Sequence, residues 1–140
     1  MDRSIRGQRY ILKQRTTLTG AHPVQARGIY LADGSCLAIK NNIITNGVCI
    51  KEADATSDPL SIENNDLFNC SVAYYDFDGG CSGNGDGIAN TRTIAEMNLL
   101  SDTSTTAANN RSDDPAFLDP KNYDYHFSPS SPLIYFARQD

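Results

Sequence analysis

Leu37-Ala38-Ile39-Lys40-Asn41-Asn42-Ile43-Ile44-Thr45-Asn46 recurs as Leu60-Ser61-Ile62-Glu63-Asn64-Asn65-Asp66-Leu67-Phe68-Asn69, and the reading of the fold rests on that recurrence. The offset is 23 residues throughout and sets Leu on Leu, Ile on Ile and Asn-Asn on Asn-Asn. A weaker third copy falls at an offset of 32, with Ile94, Leu99, Leu100 and Ser101 under Ile62, Leu67, Phe68 and Asn69. An earlier one begins at Tyr10-Ile11-Leu12-Lys13. A period in the twenties is the signature of stacked repeats, each burying its apolar face against the next.

Within a copy the apolar residues alternate, which is the period of a strand with one buried face. Leu37 and Ile39 are expected inside, with Ala38, Lys40, Ser61 and Glu63 facing solvent. The Asn pairs follow each short strand, where a sharp corner needs a residue that tolerates the left-handed conformation. Strands stacked about 4.8 Å apart would also let equivalent amides bond in a ladder. Asn41, Asn42, Asn64 and Asn65 are therefore the expected structural ladder, with Lys40 beside Glu63 as an outward ion pair.

This pattern resembles the right-handed parallel β-helix of pectate-lyase-like proteins, here a solenoid of about four to five coils. The C-terminal stretches Asp114-Pro115-Ala116-Phe117-Leu118-Asp119-Pro120 and Tyr123 to Ile134 are similar to the closing segment of bacterial members. Val72-Ala73-Tyr74-Tyr75-Asp76-Phe77-Asp78-Gly79-Gly80 resembles the tyrosine- and glycine-bearing loop that precedes that ending. The resemblance departs at Tyr135-Phe136-Ala137. It covers about residues 36–134; with the length, the expected organisation is a single domain over 1–140, in which residues 1–27 form an N-terminal arm or cap, 28–110 the coils and 111–140 the closing segment. An all-β sandwich is the alternative fold.

The whole chain has 140 residues, 39% of them hydrophobic, and carries a net charge of −5, which suits one globular domain. No apolar run is long enough for a membrane span, and no export signal follows Met1, so the compartment is left unassigned. Residues 1–40 hold seven basic side chains against two acidic ones, whereas residues 41–140 hold five against fifteen. Tyr10 is the lone aromatic among the N-terminal basic residues, which argues against a nucleic-acid platform. Cys36, Cys49, Cys70 and Cys81 form no C-x-x-C pair; in a secreted chain their even number permits two disulfides in three connectivities, and otherwise small buried thiols are expected.

Proteins of this resemblance include polysaccharide lyases, epimerases and hydrolases as well as adhesins, so fold alone does not assign function. No lyase catalytic set is present, and no catalytic residue is assigned. A glycosidase would need two carboxylates across a cleft, with Asp54, Glu63 and Asp66 available. The best metal candidate is Asp76-Phe77-Asp78-Gly79 with Asn84-Gly85-Asp86-Gly87, in which Asp76, Asp78 and Asp86 offer oxygen ligands to calcium on tight turns. The competing reading is a glycine-rich loop whose side chains bond their own backbone. His126 is expected to pack against the last coil, and His22 to sit in a loop.

The expectation is a non-enzymatic module that binds carbohydrate or a surface, or that self-associates as a homo-oligomer through the N-terminal coil end. The alternative is a lyase- or epimerase-type enzyme acting on polysaccharide with a calcium-assisted site.

Overall fold

The computed structural model describes residues 11–12, 27–77, 79–80, 88–101 and 105–136. In chain order the strands are β1 (Ile11–Leu12), β2 (Arg27–Leu31), β3 (Ala38–Lys40), β4 (Ile43–Glu52), β5 (Ser61–Glu63), β6 (Asp66–Asp76) and β7 (Asn90–Arg92). A four-residue helix α1 (Ile94–Met97) precedes β8 (Thr106–Ala108). β9 (Phe117–Asp119) and β10 (Asp124–Phe127) close the described chain around a 3-10 turn at Pro120–Asn122.

The 23-residue offset is the strand register itself. β3 lies parallel to β5 with Ile39 opposite Ile62, and β4 lies parallel to β6 with Ile44 opposite Leu67. β8 then pairs with β5 so that Ala107 lies opposite Ile62. Leu31, Ile39, Ile44, Ile50, Ile62, Leu67, Tyr74 and Met97 form one buried cluster. On the outer side, Lys40 Nζ and Glu63 Oε2 are 2.9 Å apart.

Two consecutive asparagines do different work at each corner. The first of each pair, Asn41, Asn64 and Asn109, has φ of 59°, 55° and 56°, the left-handed region that Asn tolerates at low cost. The second turns its amide inward and links to the next copy. Asn65 Oδ1 accepts from Nδ2 and from the backbone N–H of Asn42, each at 3.0 Å. Asn110 Oδ1 accepts in the same way from Nδ2 of Asn65 at 2.9 Å and from its N–H at 3.1 Å. Asn98 Oδ1 continues the series by accepting from Asn110. The remaining amide hydrogens go to main-chain carbonyls, Asn65 Nδ2 to Ile39 O and Asn110 Nδ2 to Ile62 O.

The third copy is therefore not at 94–101. It is Thr106-Ala107-Ala108-Asn109-Asn110, at an offset of 45 from the second. The insertion is longer than an offset of 32 allows, and α1 lies inside it. Ser61, expected to face solvent, is buried. Val72–Asp76 is strand, not loop.

The β-helix expectation is overturned. Among the described residues the strands form three separate small sheets, and none closes or curls into a solenoid. One is a five-stranded mixed sheet, one a three-stranded parallel sheet and one an antiparallel pair, β9 with β10. Two sequence features account for the break. β7 returns antiparallel to β6, with Tyr74 opposite Arg92. Where the first two copies follow Asn-Asn with a long strand, the third follows it with Arg111-Ser112-Asp113-Asp114-Pro115, which makes one bridge to Asp66. Charged residues ahead of a proline do not extend a buried strand.

Buried thiols are also corrected. Cys49 and Cys70 form a disulfide across β4 and β6, and Cys36 is disulfide-bonded too. Cys81 lies outside the described residues, as does all of 1–27 except Ile11, Leu12 and Arg27. The C-terminal segment is anchored by Ser131 Oγ, which donates to Pro115 O at 2.7 Å, and by buried Leu133. Among the described residues no helix is long and apolar enough to cross a membrane.

Asn65→Ala removes the two bonds that the amide donates, to Ile39 O and Asn110 Oδ1, and the two it accepts from the Asn42 N–H and Nδ2. It is expected to cost about 3 kcal/mol, whereas Lys40→Ala, at an exposed ion pair, is expected to cost under about 1 kcal/mol. Urea unfolding followed by circular dichroism separates the two. Reduction of the Cys49–Cys70 link, which closes 21 residues of sequence, is expected to remove a further amount of about 3 kcal/mol in the same assay.

Candidate functional site

Alternation along β4, β6 and β7 sorts their side chains onto two faces. Ile50, Glu52, Tyr74 and Asp76 are buried on the inner face, where Arg92 reaches Asp76. On the other face Tyr30, Lys51, Tyr75 and Thr91 lie opposite one another across four neighbouring strands.

The inner face is polar but satisfied. Tyr74 OH donates to Glu52 Oε1, and the Phe77 N–H donates to Glu52 Oε2 at 2.7 Å. Burial pushes the Glu52 carboxyl up to about 7, with Asp58 and Asp76 adding like charge while the two hydrogen bonds pull down. Burial and the facing Glu52 carboxylate hold the Tyr74 phenol far above its ordinary value. Asp76 receives Nε and Nη2 of Arg92, both at 2.8 Å. A carboxyl with a pKa near neutrality would suit a general acid, but Glu52 is sealed from solvent, so this set locks β4, β6 and β7 together.

The outer face is aromatic and cationic. Lys51 Nζ stands 4.6 Å from the centre of the Tyr75 ring, and Phe77 meets Tyr75 edge-on with centroids 5.5 Å apart. Tyr30 is half exposed at the far end of the row. Among the described residues no salt bridge engages Lys51, in contrast to Lys40, Arg92 and Arg111.

The carboxylates singled out from sequence are dispersed. Asp76 is committed to Arg92, and Asp78 and Asp86 lie outside the described residues. No group of three His, Cys, Asp or Glu suited to a metal ion occurs among the described residues. Gly79 has a packing role: a Cβ there would lie 2.0 Å from Ala55 O, so only glycine lets the two loops touch. Asp54 caps its own turn, accepting from Thr56 N–H at 2.9 Å, while Glu63 pairs with Lys40. His126 is exposed, not packed inside, and its Nδ1 contacts Asp124 Oδ1. His22 lies outside the described residues.

Asp66 is buried. Its Oδ1 accepts from Asp113 N–H at 2.8 Å, and its Oδ2 has no hydrogen-bond partner among the described residues. Burial pushes this carboxyl up to about 7, opposed by the Asp113 N–H bond and by Arg111, with Asp113 and Asp114 adding like charge.

The Tyr30–Lys51–Tyr75 row escapes a reading at a constant offset of 23. Gly47 lies opposite Cys70, but Val48 lies opposite Val72, so β6 carries one additional residue. Beyond that bulge the offset is 24, and a slip of one residue exchanges the two faces. The available signal was the likeness of Ile50-Lys51-Glu52 to Tyr74-Tyr75-Asp76. The chain matches no protein-family model, no curated protein and no solved structure.

Glu52 and Asp66 both carry folded-state pKa values above their ordinary ones. Between about pH 4.5 and 7 the folded chain therefore binds protons that the unfolded chain releases, so stability falls as pH rises through that window. The melting temperature is expected to drop by more than about 10 °C between pH 5 and pH 8. Scanning calorimetry checks this, and Glu52→Gln is expected to remove about half of the slope.

Proposed function

We propose that this protein is a non-enzymatic binding module that takes an extended saccharide chain on the Tyr30–Lys51–Tyr75 face. The observation that carries the reading is the row itself: a tyrosine on either side of a lysine, on one face of the sheet, with Phe77 buttressing Tyr75. Strands about 4.8 Å apart set Tyr30 and Tyr75 about 10 Å apart, close to the rise of two sugar units along an extended chain. A pyranose ring has an apolar C–H face and a polar rim. Tyr rings supply a large apolar surface with a polar tip, and the Lys51 ammonium supplies three donors for ring hydroxyls.

The titratable groups below the row support binding over chemistry. Glu52 and Asp76 face inward and bond to Tyr74, Phe77 and Arg92, so they stiffen the platform and do not reach a bound chain. Pre-set geometry of this kind lowers the ordering cost of binding.

Affinity electrophoresis of the full chain in gels carrying hydroxyethylcellulose, galactomannan or polygalacturonate tests the reading. Retardation is expected in at least one gel, and Tyr75→Ala is expected to weaken it by about ten-fold or more with the melting temperature shifted by only a few degrees. Lack of retardation in all three, or equal retardation of Tyr75→Ala, would sink the reading.

A further inference from the structure

Asp66 is the first residue of β6 and is fully buried where the strand stack meets residues 111–136. On the stack side its Cα partner is Ile43 of β4, which is apolar. On the other side it forms a bridge with Arg111. Hydrogen bonds across this seam run from Arg111 N–H to Asn65 O at 2.9 Å, from Leu67 N–H to Arg111 O at 2.8 Å and from Asp113 N–H to Asp66 Oδ1 at 2.8 Å. The side chain of Asp66 is thus part of what fastens the C-terminal segment to the stack.

The two oxygens of this carboxyl differ. Oδ1 accepts from Asp113, and it still can when the group is neutral. Oδ2 has no hydrogen-bond partner among the described residues, so a proton there completes a neutral acid without breaking the Asp113 bond. Loss of that proton leaves a buried negative charge with one donor, which is costly. The charged groups that face it are Asp113, Asp114 and Arg111, all on the C-terminal side of the seam. Two of the three carry like charge. Arg111 is engaged within its own segment, with Nη1 3.2 Å from Asp113 Oδ2 and its guanidinium 3.9 Å from the centre of the Phe136 ring. Parting of the seam would admit water to the carboxylate and separate it from both acidic neighbours.

We propose that Asp66 is a proton-operated latch, which holds residues 111–136 against the strand stack when neutral and releases them when ionised. The sign follows from the carboxyl being pushed up to about 7 in the closed seam, against about 3.9 once solvated. Closure therefore takes up a proton, is favoured in acid and weakens as pH rises towards neutrality. Glu52 is not part of the latch, because its bonds go to Tyr74 and Phe77 within the large sheet. The latch is also independent of the saccharide reading, since Tyr30, Lys51 and Tyr75 take no part in it.

Hydrogen exchange of the full chain, followed amide by amide by NMR and corrected for intrinsic rates, tests the proposal. The amides of Leu67, Arg111 and Asp113 are expected to exchange through an opening smaller than global unfolding. Their protection stays below that of Leu60, whose N–H donates to Leu37 O inside the stack, and falls by about ten-fold or more between pH 5 and pH 7. Asp66→Asn keeps an oxygen for the Asp113 N–H but has no charge to gain, and it is expected to lose most of that fall. Carbon NMR of the Asp66 carboxyl in the unsubstituted chain gives a second reading that does not depend on the variant folding, with a titration midpoint expected well above the ordinary acid range. Protection at the three amides equal to that of Leu60 at every pH overturns the proposal, because the segment would then part only with the whole fold. So does an undiminished fall in Asp66→Asn, or an Asp66 carboxyl that titrates near about 4.

Discussion

The amide column Asn42–Asn65–Asn110–Asn98 is the constraint on which the remaining structure depends. Asn65 and Asn110 each span two copies by accepting from one neighbour and donating to a carbonyl of the preceding strand, while Asn42 and Asn98 form the two ends. A buried primary amide left unbonded costs as much as the core gains from several methylenes. The column therefore permits one register, the one in which every amide meets its equivalent. The left-handed residue before Asn42, Asn65 and Asn110 turns the chain at the same height in all three copies, which brings Ile39, Ile62 and Ala107 into line. An exposed pair, Asn46 and Asn69, repeats the arrangement at the next corner, where Asn69 Nδ2 donates to Asn46 Oδ1 at 2.7 Å.

From that register follows the division of labour between the faces of the large sheet. Beyond the bulge at Ser71 the inner face carries Glu52, Tyr74 and Asp76, and the outer face carries Lys51 and Tyr75. Buried carboxyls tolerate this only with donors in reach. Glu52 has the Tyr74 hydroxyl and the Phe77 amide, and Asp76 has Arg92. Asp66 is half satisfied, with one oxygen bonded and the other not. These groups make the core sensitive to pH in the neutral range. A binding face on a sheet locked from behind needs little ordering when a ligand arrives.

Much of the parallel pairing was legible because its cause is local. The Leu-x-Ile alternation and the Asn-Asn corners are spaced identically in two copies, and period and corner chemistry are properties of adjacent residues. The third copy was misplaced because Ala107 is a weak apolar signal beside Ile94 and Leu99, although Asn109-Asn110 repeats the corner. The solenoid expectation failed where the pattern loses its apolar strand, at Arg111 to Asp114, and where β7 reverses direction. The resemblance of residues 72–80 to a loop misled for a related reason: Tyr74 alternates with Ala73 and Tyr75 as a strand does, and the glycines begin only at Gly79.

By itself, the sequence determined the 23-residue stacking of short strands and the corner residues, because left-handed turns and alternating burial are written in runs of a few residues. Only the tertiary structure decided the partition of the described strands into three sheets, the Cys49–Cys70 link, and the faces of Lys51 and Tyr75. Each of these turns on a contact between residues distant in sequence, and a single additional residue at Ser71 is enough to invert which side chains meet the core and which meet the solvent.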